Sequence, residues 1–301
     1  MWLEVSFTEG SFKGLLAVWN LVKESVNSFI ADEALTRGAA IAFYTVTSIG
    51  PVLFIVVAIA GLVFGEDAAR GAISGQLAGL MGQQSADLLQ TAIQSAATKT
   101  TGFVATAIGL VTLIITASGV FTEMQSTLNI IWKAEPRGTT VTRLLRARAA
   151  SLGLVAALGF LLLVSLVIST VLSALSSYIN AYLPFAHLIL QILTFAVSFA
   201  LISLLFGAIY KVLPDKNIEW HDVMIGAVVT AMLFTIGKSL ISLYIGSSTV
   251  ASSYGAAGSL IVVLLWIYYS AQIFLFGAEF TKVYAIHHGS HRSRKLSALT
   301  R

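Results

Sequence analysis

Three ionisable residues, Glu123, Lys238 and Glu279, stand inside stretches otherwise built from Leu, Ile, Val, Ala and Gly. A charge in such surroundings costs about 2.5–3.5 kcal/mol even on the mildest insertion scale, so each needs polar company or trapped water. Glu123 has that company in its own segment. Ser126 or Thr127, then Asn129 or Ile130, follow it at i+3/i+4 spacing and share part of one helical face. Such a carboxyl, with hydroxyl and amide neighbours, suits handling of a substrate, ion or proton; its alternative is a hydrogen-bonded structural role. Lys238, followed by Ser239, Ser242 and Tyr244, either snorkels toward the outer headgroups or faces inward as a fixed cation for an anion. Glu279 follows Gly277-Ala278, small residues that permit close helix approach. It reads first as an interface group pairing with Lys282, and second as transport machinery. Tyr44 and Ser48 join the candidate substrate- or ion-binding set, because they precede Gly50-Pro51 in an apolar run. Pro51 lacks a backbone donor and would leave the Thr47 carbonyl unpaired, bending the helix into a hinge or a ligand-facing kink.

Other chemistry finds little footing. The chain has no cysteine, which removes disulfides, thiolate metal sites and cysteine nucleophiles. Its five histidines, His187, His221, His287, His288 and His291, show no metal-hydrolase spacing. The last three could chelate by proximity, but they read more simply as part of a basic interfacial tail. Neither a Gly-x-Ser-x-Gly elbow nor a Walker-type phosphate loop occurs. The expectation is a protein that is not an enzyme and needs no metal or cofactor.

The elements that must position these residues are set by solvation. Of 301 residues, 57% are hydrophobic and 11% charged, and the mean hydropathy is +0.87. A soluble domain carries roughly 25% charged residues, so this chain reads as an all-α, polytopic integral membrane protein. About 20 apolar residues make one spanning helix, and six spans are expected near 38–64, 103–131, 149–175, 186–211, 223–246 and 258–283. Lys and Arg cluster on one side: Lys13, Lys23 and Arg37 before span 1, Lys133, Arg137, Arg143, Arg146 and Arg148 after span 2, Lys211 and Lys216 after span 4, and Lys282, Arg292, Arg294, Lys295 and Arg301 toward the C-terminus. The opposite side offers Arg70 and Lys99. The positive-inside rule then puts both termini in the cytoplasm. The net charge of +4 is thus a topology signal, with no nucleic-acid partner implied.

Residues 1–36 form an amphipathic interfacial segment, with Phe12, Leu15, Leu16, Trp19, Val22, Val26, Phe29 and Ile30 on one face and Lys13, Asn20, Lys23, Glu24 and Asn27 on the other. No cleavable signal peptide is expected in it. Asp32 sits where an N-cap would start the first span. Residues 37–286 form the six-helix domain, and 287–301 a basic cytoplasmic tail. The external loop 65–101 holds two apolar stripes, Ile73, Leu77, Leu80 and Met81, then Leu88, Leu89, Ile93 and Ala96, which suit a cap on the outer end or a substrate lid. The uncharged connection 246–255, including Tyr254 and Gly255, could be a re-entrant backbone or a plain loop. Spans 1 and 5 both open with Gly-Ala (Gly38-Ala39, Gly226-Ala227) and later carry Ile-Gly, a faint repeat.

Several segments together resemble the YihY/BrkB family of bacterial inner-membrane proteins, over roughly 20–290. They are GAAIAFYTVTSIGPV (38–52), FTEMQSTLNIIWK (121–133), IYKVLPDK (209–216), WHDVMIGAV (220–228) and YGAAGSLIVVLLWIYYSAQIFLFGAEFT (254–281). The resemblance implies a six-helix, multi-pass inner-membrane protein linked to envelope integrity and serum resistance. Some members carry an older label as a tRNA-processing ribonuclease, against which the missing metal-ligand pattern argues. By motif, Pro51, Glu123, Asn129, Tyr254, Gly255 and Glu279 occupy the family's polar and glycine positions. The leading functional expectation is a transporter or flippase-like protein for a lipid or amphipathic organic anion. A non-transporting scaffold for envelope assembly, and a membrane hydrolase or nuclease, are the alternatives. Membrane lipids are the expected partners, and the many Gly, Ala and Ser residues allow helix association into a homo-oligomer.

Overall fold

The computed structural model describes residues 4–65, scattered positions between 67 and 91, and residues 119–134, 186–247 and 256–289. Span 3, the first part of span 2, most of the tail, and Tyr254 and Gly255 lie outside the described residues. Among the described residues the secondary structure is entirely helical: α1 (Glu4–Ala31), α2 (Ala34–Phe64), α3 (119–131), α4 (Ala186–Val212), α5 (Trp220–Ser247) and α6 (Ala256–His287). In an apolar solvent every backbone N–H and C=O must be paired within its own segment, which a continuous helix achieves. Three of these helices contain stretches long and apolar enough to cross a membrane, Gln191–Val212, Trp220–Ile241 and Gly258–His287. α2 is 31 residues long, or about 46 Å at 1.5 Å per residue.

α6 is the central element, packing against α5, α2 and α1, while α4 lies against α5. The main core gathers residues of α3, α4, α5 and α6 around the buried Tyr210. Its ring stacks on Phe274 at 5.3 Å between centroids, and Phe206 completes a triangle of rings, 6.3 Å from Tyr210 and 6.4 Å from Phe274. A second cluster of Ala42, Leu89, Val263 and Ile267 joins α2 and α6 to a residue of the loop after α2. Ser74 donates to the Gln90 side-chain oxygen at 3.2 Å, tying two parts of that loop together.

Hydroxyls on the helices are hidden by bonding back along their own chain. Thr45, Ser48, Thr230, Ser270 and Thr281 each donate to the carbonyl four residues earlier, at 2.6–2.8 Å. Such bonds keep a hydroxyl satisfied without a partner helix and tend to bend the helix. Two of these donors, Thr45 and Ser48, precede Pro51 in α2, as does Thr47, which donates to the Tyr44 carbonyl three residues earlier, and the helix continues through the proline to Phe64.

Close approach at glycines fixes the α6 contacts. A Cβ on Gly226 of α5 would collide with the Thr281 side chain, and one on Gly38 of α2 would collide with Gln272. Both glycines of the repeated Gly-Ala pair therefore serve the same purpose, letting a neighbouring helix close on α6. Gly237 does likewise, since a Cβ there would sit 2.6 Å from Ile273 Cδ1.

The junction between α1 and α2 departs from expectation. α1 runs to Ala31, Glu33 takes a left-handed backbone (φ 54°) at the start of α2, and no side chain caps that start. Asp32 is therefore not the N-cap; its carboxylate is used elsewhere. α1 turns one side to the bundle and the rest outward. Leu21 and Ser25 are buried, with Phe29 packed edge-on to Phe276 of α6 at 6.1 Å. Leu16, Trp19, Val26 and Ile30 are exposed, and Asn20, Lys23, Glu24 and Asn27 are exposed beside them.

Candidate functional site

The densest concentration of buried charge lies where the α1–α2 junction meets α6. Lys282 Nζ donates to Asp32 Oδ2 at 3.0 Å and to Glu279 Oε2 at 2.7 Å. Glu279 is fully buried (0% exposed), while the Lys282 and Asp32 side chains are 11% and 18% exposed. The Glu279–Lys282 pair follows from i,i+3 spacing on one helix, whereas Asp32 reaches the site because the left-handed Glu33 turns the chain there. Two carboxylates share one ammonium, and Glu279 Oε1 is buried with no hydrogen-bond partner. An ion pair taken out of water holds together only when its remaining lone pairs are satisfied, so the orphaned oxygen marks a place able to receive a proton or a donor group.

Beside it lies a second polar assembly in the connection between α4 and α5. Asn129 Nδ2 donates to Asp215 Oδ2 at 2.9 Å, and the Asp215 backbone N–H donates to Asn129 Oδ1 at 2.7 Å. Lys216 Nζ donates to the Trp132 carbonyl at 2.8 Å and lies 6.0 Å from the centroid of that indole ring. Lys211 donates to the Ile218 carbonyl and lies over Trp220. Burial pushes the Lys216 ammonium below the ordinary lysine range, and repulsion from Lys282 adds to the shift. The segments 209–216 and 121–133 are thus halves of one clamp.

Deeper in the bundle, Tyr210 of α4 donates to the Phe274 carbonyl of α6 at 2.6 Å and lies 3.1 Å from the Thr230 hydroxyl of α5. A Cβ on Gly277 would collide with both hydroxyls. This small polar knot joins three helices, and neither Tyr210 nor Thr230 stands out in the sequence except as a moderately polar residue in an apolar run.

The other candidates are scattered. Glu123 on α3 is half-buried, with no ion pair or hydrogen bond of its side chain among the described residues. Thr127, one turn on, is fully buried with an unpartnered hydroxyl oxygen. Ser48 is buried but bonds to its own helix, and the exposed Tyr44 ring packs over Gly119 of α3, where a Cβ would sit 3.2 Å away. Lys238 is exposed on α5. Pro51 is placed by its backbone within α2. Among the described residues no cluster of three or more His, Asp or Glu side chains is arranged to hold a metal.

Residues 25–298 match the model of the family described as Virulence factor BrkB. The chain belongs to the BrkB family. Several curated relatives similar to this chain are named UPF0761 membrane protein. The one from Pasteurella multocida is 33% identical over 180 residues, covering 60% of this chain and 54% of the relative. That from Alcanivorax borkumensis is 29% identical over 202 residues (66% and 45%), and that from Rhodospirillum centenum 27% over 266 residues (87% and 56%). The chain spans about half the length of the curated relatives it matches. No solved structure matches it. Family and apolar helices together make this BrkB chain a membrane protein.

Proposed function

We propose that this protein is a transporter or flippase-like protein that moves a lipid or an amphipathic organic anion across the bacterial inner membrane. In this reading the chain crosses six times, both termini face the cytoplasm, α1 lies in the inner interface, and the protein is not an enzyme. Its partners are membrane lipids and copies of itself. The observation that carries the proposal is the buried Asp32–Lys282–Glu279 group, two of whose members stand on a helix long and apolar enough to span. Charges kept in such a place at a cost of several kcal/mol mark pathways or proton relays in membrane bundles. Glu123 and the buried Thr127 hydroxyl on α3 extend the polar interior. Polar groups inside the bundle would pass a headgroup while the tails remain in lipid.

The test is reconstitution of the full chain into vesicles with a fluorescent phospholipid and, separately, an amphipathic organic anion. Wild type is expected to move one of them across the bilayer, and Glu279→Gln and Glu123→Gln to slow that movement by at least tenfold. Vesicles with wild-type protein that behave like protein-free vesicles for both probes would sink this reading. They would favour the second one, a non-transporting scaffold for envelope assembly.

A further inference from the structure

A cavity of about 560 Å³ opens where α1 passes the end of α6, lined by Ala17, Asn20, Leu21, Lys23, Glu24 and Asn27 on one side and His287 and His288 on the other. Its size falls in the range of small-molecule sites. The lining mixes donors and acceptors, and its one carboxylate is already engaged. Glu24, its carboxylate, is taken up by His287, with Oε2 and Nε2 2.8 Å apart. His288 is held face to face with Tyr284, rings 5.8 Å apart and 18° from parallel. Lys23, Asn20 and Asn27 have no described hydrogen bond or ion pair, so one ammonium and two amides face the opening.

The same residues border the exposed apolar stripe of α1. Lys23 stands four positions after Trp19 and seven from both Leu16 and Ile30, so all four fall along one side of the helix. Trp19 is 65% exposed. Asn20 and Asn27 lie at i−3 and i+4 from Lys23 and carry that side round into the cavity. A ligand engaging both surfaces must have a compact, acceptor-rich anionic head and a long apolar body.

We infer that this groove is a subsite for the phosphate of an anionic phospholipid, with Lys23, Asn20 and Asn27 holding the phosphate oxygens and the acyl chains lying along Leu16, Trp19 and Ile30. The inference deepens the transport reading by naming the headgroup it recognises, and rests on that reading for the location of α1 at the bilayer surface. Glu24 holds His287 in place and so keeps one wall of the groove fixed.

The test places the full chain in nanodiscs of phosphatidylcholine and phosphatidylglycerol in equal parts, extracts it in mild detergent, and quantifies the retained lipids by mass spectrometry. Wild type is expected to retain phosphatidylglycerol in clear excess. One surface cation contributes about fivefold to such a preference, so Lys23→Gln should reduce it about fivefold and Lys23→Glu about thirtyfold. Asn20→Ala with Asn27→Ala should reduce it without changing charge. Lys133→Gln, an exposed cation at the end of α3, should leave it unchanged. Thermal melts of each variant report folding. Equal losses at Lys23 and Lys133, or an unchanged preference in Lys23→Glu, would overturn the site. Inorganic phosphate that displaces the retained lipid supports phosphate as the recognised unit; phosphate binding without any lipid preference overturns the phospholipid assignment. Because retention needs no flux, retention without transport removes only the transport reading, and transport without retention removes only this site.

Discussion

Replacing Lys282 with methionine removes the single cation between two carboxylates while keeping the length of its stem. Glu279 is inaccessible to water and Asp32 is 18% exposed, so solvent can screen little of the uncovered charge. Removing one partner from a buried pair costs about 3–5 kcal/mol, or roughly a hundred- to several-thousand-fold in the ratio of folded to unfolded protein. Glu279→Gln is milder. It leaves the 3.0 Å bridge between Lys282 and Asp32 in place and exchanges a charged acceptor for a neutral one, at about 1–2 kcal/mol. Combining the two substitutions discards the worst feature of the first, an unpaired buried carboxylate, so the double variant should regain about half of the Lys282→Met loss. Reversible unfolding in one detergent, followed by tryptophan fluorescence, measures all three. A Lys282→Met variant within about 0.5 kcal/mol of wild type, or a double-variant loss equal to the sum of the single losses, would refute the view that these groups act as one buried unit.

Three other outcomes are expected. Gly226→Val should destabilise the protein by about 1–3 kcal/mol through overpacking against Thr281, and Thr281→Ala should recover part of that loss in the same unfolding assay. Asn129→Ala strips partners from both the side chain and the backbone N–H of Asp215. It should cost about 1–3 kcal/mol and speed amide hydrogen exchange across 213–219 while leaving the middle of α6 protected. Lys216 holds its proton less tightly in the folded protein than the ordinary value of 10.5. Between the lowered value and 10.5 the unfolded chain therefore binds more protons, and stability from this group rises with pH across that alkaline window. Lys216→Met should flatten that rise in pH-dependent melts.

The sequence discloses this fold unevenly, and the pattern has a physical cause. Apolar runs bounded by charge mark α4, α5 and α6 to within a few residues, because the solvent dictates composition along the whole segment. Gly38 and Gly226 stand out as paired Gly-Ala positions, and both turn out to sit against α6. The i,i+3 spacing makes the Glu279–Lys282 contact visible as well. Asp32 is different. Its local context suits a helix cap, and only the left-handed Glu33 and the arrival of α6 give it an ionic partner. Asn129 is conspicuous as an amide in an apolar helix, yet its partner Asp215 lies 86 positions away and nothing local predicts it. On α1, hydrophobic spacing picks out Leu16, Trp19, Val26 and Ile30, which stay exposed. The contact with the bundle falls to Leu21, the small Ser25 and, from the expected apolar face, Phe29 against Phe276.

The Asp32–Lys282 bridge joins positions 250 residues apart. At about 5–20 residues per second of synthesis, the elbow before the first long helix waits roughly 10–50 s for its counterion. Until the closing helix emerges from the ribosome, that carboxylate must stay in contact with water or with some temporary companion. A nascent chain cut short before Lys282 can never tie off its beginning, which gives a quality-control protease a physical criterion for telling an unfinished copy from a finished one.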